Sequence, residues 1–352
     1  MLVYWSLFAF PAFAALSERT QWHGNRLHPM LFFLLYLFFV MAFREAGGDF
    51  YTYNLANGLY AGENLAGWLV LTEPAFGFLN WLSIQAGWGI YGVNFFCALI
   101  FLFGLYRFAA NEPRPWLLVA IAIPYLVIVV AIGYTRQGTA VGLLMLALVY
   151  IQRRSVFKAT MSIILATAFH NSAIIATPLL YFALDRKWYL KYILIALLAL
   201  LFFGVYQIIV DRIETLTGIY SDSNNYQSSG AVLRAFITAV AGVIFLIYNK
   251  KWRYLFDDWK IHFYVALVAL AIFPASFIYS TAADRMGLYL LPFQVLVFAR
   301  LPVLMSNNSN KNLATFGVLA AYTLVLFVWL HLGRFSQQLW LPYSNLLTGT
   351  LP

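Results

Sequence analysis

The sequence predicts an all-α polytopic membrane protein, and three observations carry that prediction. Of the 352 residues, 63% are hydrophobic, where soluble domains hold about 45–50% apolar residues. Only 10% are charged, against about 25% in soluble chains. The apolar residues also fall in runs of membrane length, since crossing the hydrocarbon takes about 20 of them and roughly 17 at the least. A soluble fold of this size cannot hide so much apolar surface, so the surplus faces lipid. Disordered and fibrous classes fail on the same ground. The net charge of +9 is read as basic loops facing anionic lipid and the cytoplasm, not as a nucleic-acid surface. One cysteine, Cys97, allows neither an internal disulfide nor a cysteine-based metal site.

Taken in order, the run 1–16 lacks the basic start of a signal peptide and is read as a retained helix. Clear spans are expected at 27–43, 91–107, 116–133, 192–210, 231–248, 262–279 and 313–332, with shorter ones at 137–152 and 286–299. Two apolar regions are interrupted: 66–87 by Glu73-Pro74, and 159–184 by His170-Asn171. Polar stretches lie at 44–65, at 211–230 and in the tail from Arg334. No repeat or soluble domain shows. The expectation is one membrane domain, 1–352, of about 10–12 transmembrane helices with re-entrant segments.

Orientation follows from the excess of Lys and Arg on the cytoplasmic side. With Arg153, Arg154 and Lys158 inside, Arg136 lies outside, and loops 44–65 and 211–230 lie outside as well. Segment 66–87 then starts and ends outside, so it re-enters or lies in the interface. Lys250, Lys251, Arg253 and Lys260 stay inside only if 159–184 goes in and out as a hairpin with His170 at its outer tip. In this topology 16 of the 22 Lys and Arg residues are inside. The six outside, Arg44, Arg136, Arg212, Arg234, Arg285 and Arg334, include no lysine. Arginine is the residue for forked recognition of phosphate or carboxylate.

Several motifs carry possible chemistry. FREAGGDFYTYN, 43–54, places Arg44, a Gly47-Gly48 turn, Asp49, Tyr51 and Tyr53 at the outer end of a helix. The glycines permit close backbone approach to a ligand, and the tyrosines suit either stacking on sugars or an interfacial belt. Arg44 and Asp49 also fit a structural ion pair. Glu73 is a carboxylate at membrane depth, which is kept for function or paired, though an acid before Pro74 also suits a helix start. YTRQGTAVG, 134–142, sets Arg136 and Gln137 at a helix start, where an anion meets both a guanidinium and backbone N–H groups. FHNSAII, 169–175, sets His170 and Asn171 in an apolar run, either as satisfied core residues or as a general base and its neighbour. TAADRMGLYLLPFQ adds Asp284-Arg285, with the acid orienting the arginine, and SSGAVLR adds Arg234. No HExxH, P-loop or Rossmann pattern is present, so neither metal nor cofactor is expected.

These motifs, in this order, resemble the EpsG family of Wzy-like bacterial polysaccharide polymerases: Arg44 then GGDFYTY, RQ opening a helix, FHNSA, and DRMGLY. The likeness runs from about residue 40 to 300. It implies a GT-C-like glycosyltransferase at the outer face of the bacterial cytoplasmic membrane. The donor and acceptor would be oligosaccharides on undecaprenyl diphosphate, with a chain-length regulator protein as a further partner. Arg136, Arg285 and Arg44 are then assigned to the diphosphate, and Tyr51, Tyr53, Gln137, Asn171 and Arg234 to substrate binding. The base is Asp49, His170 or Glu73. A polysaccharide-unit transporter would show internal repeats. A membrane O-acyltransferase would use His170 but has no task for the arginines. An O-antigen ligase usually has a larger outer loop.

Overall fold

The computed structural model describes residues 1–18, 28–184 and 230–351. The expected span 192–210, the loop 211–230 up to residue 229, and Arg212 lie outside the described residues. Within them the chain forms sixteen α-helices and one small β-hairpin, as a polytopic helical membrane protein requires.

Helices α1 (Leu2–Ser17), α2 (His28–Ala42) and α6 (Gly89–Ala109) follow the expected runs. α7 (Pro115–Ala122) continues directly into a π-helix, Ile123–Ala131. Pro124 near the start of that stretch has no N–H to donate, and π-turns of this kind cluster at functional sites. α8 (Thr135–Gln152) comes next and is buried along nearly all its length. Its all-round apolar sequence is that of a helix covered by protein on every side. α6 and α8 touch backbone to backbone: a Cβ on Gly104 would fall on the Gly142 carbonyl. Small residues at crossings are how helices approach closely in lipid.

The two interrupted regions each split at their polar residue. α4 (Leu65–Leu71) and α5 (Pro74–Gln85) meet at Thr72-Glu73, both in extended conformation, with Pro74 at the first turn of α5. α9 (Val156–Phe169) ends at His170, whose φ of −154° and ψ of 114° break the helix. A 3₁₀ helix, Asn171–Phe182, follows. α9 starts beside Arg153 and Arg154, and the 3₁₀ helix returns Tyr181, Phe182 and Leu184 to a cavity those arginines line. The pair is therefore a hairpin with His170 at its far end.

The remaining helices are α10 (Ala231–Ile247), α11 (Asn249–Leu255), α12 (Trp259–Ala275), α13 (Ser280–Gly287), α14 (Leu291–Arg300), α15 (Asn308–Leu332) and α16 (Arg334–Leu339). α13 and α14 join through a 3₁₀ turn into one apolar stretch, Ser280–Leu304. The tail closes with strands β1 (Tyr343–Asn345) and β2 (Gly349–Leu351), paired antiparallel.

The all-α polytopic class holds, and the structure adds two details. Among the described residues only three helices are long and apolar enough to cross a membrane, or four if the α10–α11 pair, bent by 75°, counts as one span. Six more apolar helices are 10–17 residues long. Prolines, the π stretch and the His170 break shorten them. The polar region 44–65 is also not a plain loop, because it holds helix α3 (Phe50–Leu59).

α8 supplies the axis that separates two ends. Its 18 residues span about 27 Å at 1.5 Å per residue. Arg136 and Gln137 sit in one cavity at its start, and Gln152 and Arg153 in another at its finish.

Candidate active site

The cavity at the start of α8 measures about 470 Å³. Asp49 reaches it from the first turn of the α3 region, Arg136 and Gln137 from α8, His170 from the hairpin tip, Arg234 from α10, and Asp284 and Arg285 from α13. Aromatic side chains complete the wall: Tyr53, Tyr125, Tyr134, Trp329 and Phe335.

Arg136 is the most heavily positioned cation. Its Nε donates to the Tyr53 hydroxyl at 2.7 Å, and its Nη1 donates to Glu73 Oε2 at 2.6 Å and Thr72 Oγ1 at 3.1 Å. The rings of Tyr53 and Phe76 lie 5.3 and 5.7 Å from its guanidinium carbon. Among the described residues Nη2 has no hydrogen-bond partner, and the side chain is 31% exposed. Glu73 is only 8% exposed and carries a second load: Oε1 lies 3.0 Å from His170 Nδ1. That contact occupies one ring nitrogen and leaves Nε2 for the cavity. Glu73 thus holds a cation and an imidazole together from below, at the vertex where α4 meets α5.

Asp49 caps the first turn of α3, where its carbonyl accepts from the backbone N–H of Tyr53 at 2.9 Å, the residue whose hydroxyl also meets Arg136. Burial pushes its carboxyl above the ordinary aspartate range, against the lowering by Tyr53 and Arg136. The backbone in front of it needs glycine: Gly47 has φ of +116° and its Cβ position lies 2.6 Å from the Ile132 carbonyl oxygen.

On the opposite wall Arg234 Nε meets Asp284 Oδ1 at 2.6 Å and its guanidinium lies 5.9 Å from the Tyr125 ring centre. Asp284 therefore pairs with Arg234 and not with its neighbour Arg285 as expected, because successive residues on a helix point apart. The exposed Arg285 guanidinium has no hydrogen bond or ion pair among the described residues, and its backbone carbonyl accepts from Gln137 Nε2 at 3.2 Å. The Tyr289 hydroxyl meets Ser172 Oγ at 2.8 Å, beside the hairpin tip.

The structure thus gathers Asp49, Tyr53, Arg136, Gln137, His170, Arg234 and Arg285 on one cavity, with Glu73 directly beneath. Three expected contacts fall elsewhere. Arg44 is 2% exposed, and its nitrogens go to the carbonyls of Ile132 and Met41 and to Thr135 Oγ1. It ties α2 to the turn between the π-helix and α8. It does not pair with Asp49. Tyr51 is 59% exposed and off the cavity, because α3 is helical and residues two apart face away from each other. Asn171, likewise exposed, opens the 3₁₀ helix without lining the cavity. Sequence reasoning missed Tyr125 and Trp329, which sit in apolar runs that give no local signal, and gave no part to Tyr134 beside Arg136 or to Phe335 in the polar tail.

A model of the EpsG family matches residues 26–345. The chain belongs to the EpsG family. EpsG proteins are Wzy-like polysaccharide polymerases, so the chain carries a polysaccharide polymerase-type function in a multi-pass membrane protein. The match extends beyond the stretch of about 40–300 on which the resemblance rested, and it takes in the C-terminal tail that packs beneath the site. Neither a curated protein nor a solved structure matches the chain.

Proposed function

We propose that this EpsG protein is a GT-C-like glycosyltransferase that polymerises oligosaccharide repeat units carried on undecaprenyl diphosphate. Its cavity faces the outside of the bacterial cytoplasmic membrane, and the product is a surface polysaccharide such as an exopolysaccharide, capsule or O-antigen. The observation that carries the reading is the pairing pattern within one cavity of a family member. Among the described residues, the Arg285 guanidinium and Nη2 of Arg136 have no hydrogen-bond partner, and they share the cavity with an imidazole engaged only through Nδ1.

In the proposed reaction the bond between the donor's anomeric carbon and its diphosphate oxygen breaks. The electron pair leaves with the diphosphate, which Arg285 and Arg136 stabilise. The acceptor hydroxyl of an incoming lipid-linked unit bonds to that carbon, and its proton passes to His170 Nε2. A preorganised donor aimed at developing charge contributes about 10²–10³ in rate, and a positioned base about 10²–10⁴. Glu73 orients His170 and holds Arg136. Asp49 caps the helix turn that holds Tyr53 against Arg136. Tyr53, Gln137 and Arg234 complete the substrate-binding wall, and a chain-length regulator protein is the expected partner in the membrane.

A gene-deletion strain tests this. The expected result is single repeat units accumulating on the lipid carrier, with polymer lost. Unchanged polymer, or loss of the repeat units themselves, would reject the polymerase reading.

A further inference from the structure

The loop that carries Asp49 is held from behind by the C-terminal segment. Gly47 N donates to the Leu339 carbonyl at 2.7 Å, Glu45 N to that of Ser344 at 2.8 Å, and Asp49 N to that of Gly133 at 2.9 Å. Trp340 is the centre of this contact. It is 1% exposed, and its indole N–H donates to the Ile128 carbonyl at 2.9 Å. A Cβ on Gly133 would fall on its ring, and one on Gly48 would lie 3.3 Å from it. Its own carbonyl accepts from the Tyr4 hydroxyl at 2.9 Å, so α1 locks the tryptophan in turn.

We propose that Trp340 is a positioning residue for the transfer site. It wedges between the π-helix, Gly133 and the Gly47-Gly48 turn, and so fixes where Asp49 stands. The Asp49 carbonyl accepts from Tyr53 N at 2.9 Å in the first turn of α3, and the Tyr53 hydroxyl accepts from Arg136 Nε. The tail therefore sets the aim of a guanidinium that it never touches. The wedge fits because Gly48 and Gly133 carry no side chains. The inference rests on the reading that Arg136 serves the substrate.

The test uses full-length protein in a Cys97→Ser background, with a nitroxide label on Leu55→Cys in α3 and, separately, on Phe157→Cys at the other end. Leu55 and Phe157 are 64% and 73% exposed. Trp340→Ala is expected to make the label at 55 more mobile and leave that at 157 unchanged. It should lower turnover by about 10²-fold, the loss that a ~1 Å misplacement can cause. Trp340→Phe keeps a ring on Gly133 but loses the N–H, and should show both changes at smaller size even if the alanine variant does not fold. Equal loosening at both positions, or lost turnover with the label at 55 unmoved, would overturn the proposal. The mobility readout needs no substrate. If it responds as expected while the unsubstituted protein makes no polymer, the wedge stands and the polymerase reading falls.

Discussion

The two ends of α8 each hold an arginine among acids, and they differ in what is left over. At the Gln152 end, Arg300 is 3% exposed and spends every nitrogen. Nε and Nη2 meet Glu112 at 2.6 and 2.7 Å, and Nη1 and Nη2 meet Asp258 at 2.8 Å each. Phe256 lies 3.9 Å beneath the guanidinium, and His262 and Gln152 also reach Asp258. At the Thr135 end, Arg136 is held by the same kind of partners but keeps, among the described residues, one unbonded nitrogen and 31% exposure, with Arg285 across the cavity. The first cluster is closed on itself. The second is braced and still has donors to offer. For a buried arginine, the unspent donors mark function better than the charge does.

That contrast is broken most directly at Arg300. Arg300→Ala leaves Glu112 and Asp258 buried without their cation, which typically costs about 3–5 kcal/mol. The expected outcome is a large fall in the detergent melting midpoint, with turnover per folded molecule retained. Replacing Arg300, Glu112 and Asp258 together by apolar residues should recover much of the loss, since a whole buried cluster contributes little net stability. Lost turnover at an unchanged midpoint would make this end part of the chemistry.

Next in size is Arg136→Ala, expected to lower turnover by about 10²–10³-fold with a smaller change in the melting midpoint. Arg136→Lys should fail nearly as badly, because a point charge cannot reach Tyr53, Glu73 and a phosphate from one fork. Normal polymer from the lysine variant would reduce Arg136 to a plain charge. The smallest effect is expected at Arg285→Lys, which keeps the cation and loses one forked bond. Hydrogen bonds to charged groups contribute about 1.5–3 kcal/mol, so polymer yield should drop about tenfold or somewhat more. Equal losses at Arg136→Lys and Arg285→Lys would mean that the pairing difference between them carries no information.

Much of this was legible in the sequence. Composition and run length predicted the membrane class, and polar residues inside apolar runs marked the breaks at Glu73 and His170. Helix starts after loops located Arg136 and Arg285. What the sequence could not show is partnership across long separations. Arg44 reads as a cation beside Asp49, yet its partner Thr135 stands 91 positions away. Asp284 stands beside Arg285 but pairs with Arg234, 50 positions back. Trp340 lies in a tail with no motif, and only packing onto Gly133 gives it a part. Glu112, Asp258 and Arg300 are scattered singly between apolar runs, so the second cluster left no local trace.

The central claim is that the cavity arginines hold the diphosphate of a lipid-linked glycan. The direct measurement is the affinity of the purified full-length protein for a short-chain polyprenyl-diphosphate oligosaccharide, by titration in detergent. The variants are Arg136→Gln with Arg285→Gln, against Lys260→Gln at the other end. The account predicts that the double variant loses about 10²-fold in affinity or more, the sum of two charged hydrogen-bond losses. Lys260→Gln should bind like the unsubstituted protein. Undiminished binding by the double variant, or an equal loss in Lys260→Gln, would contradict it.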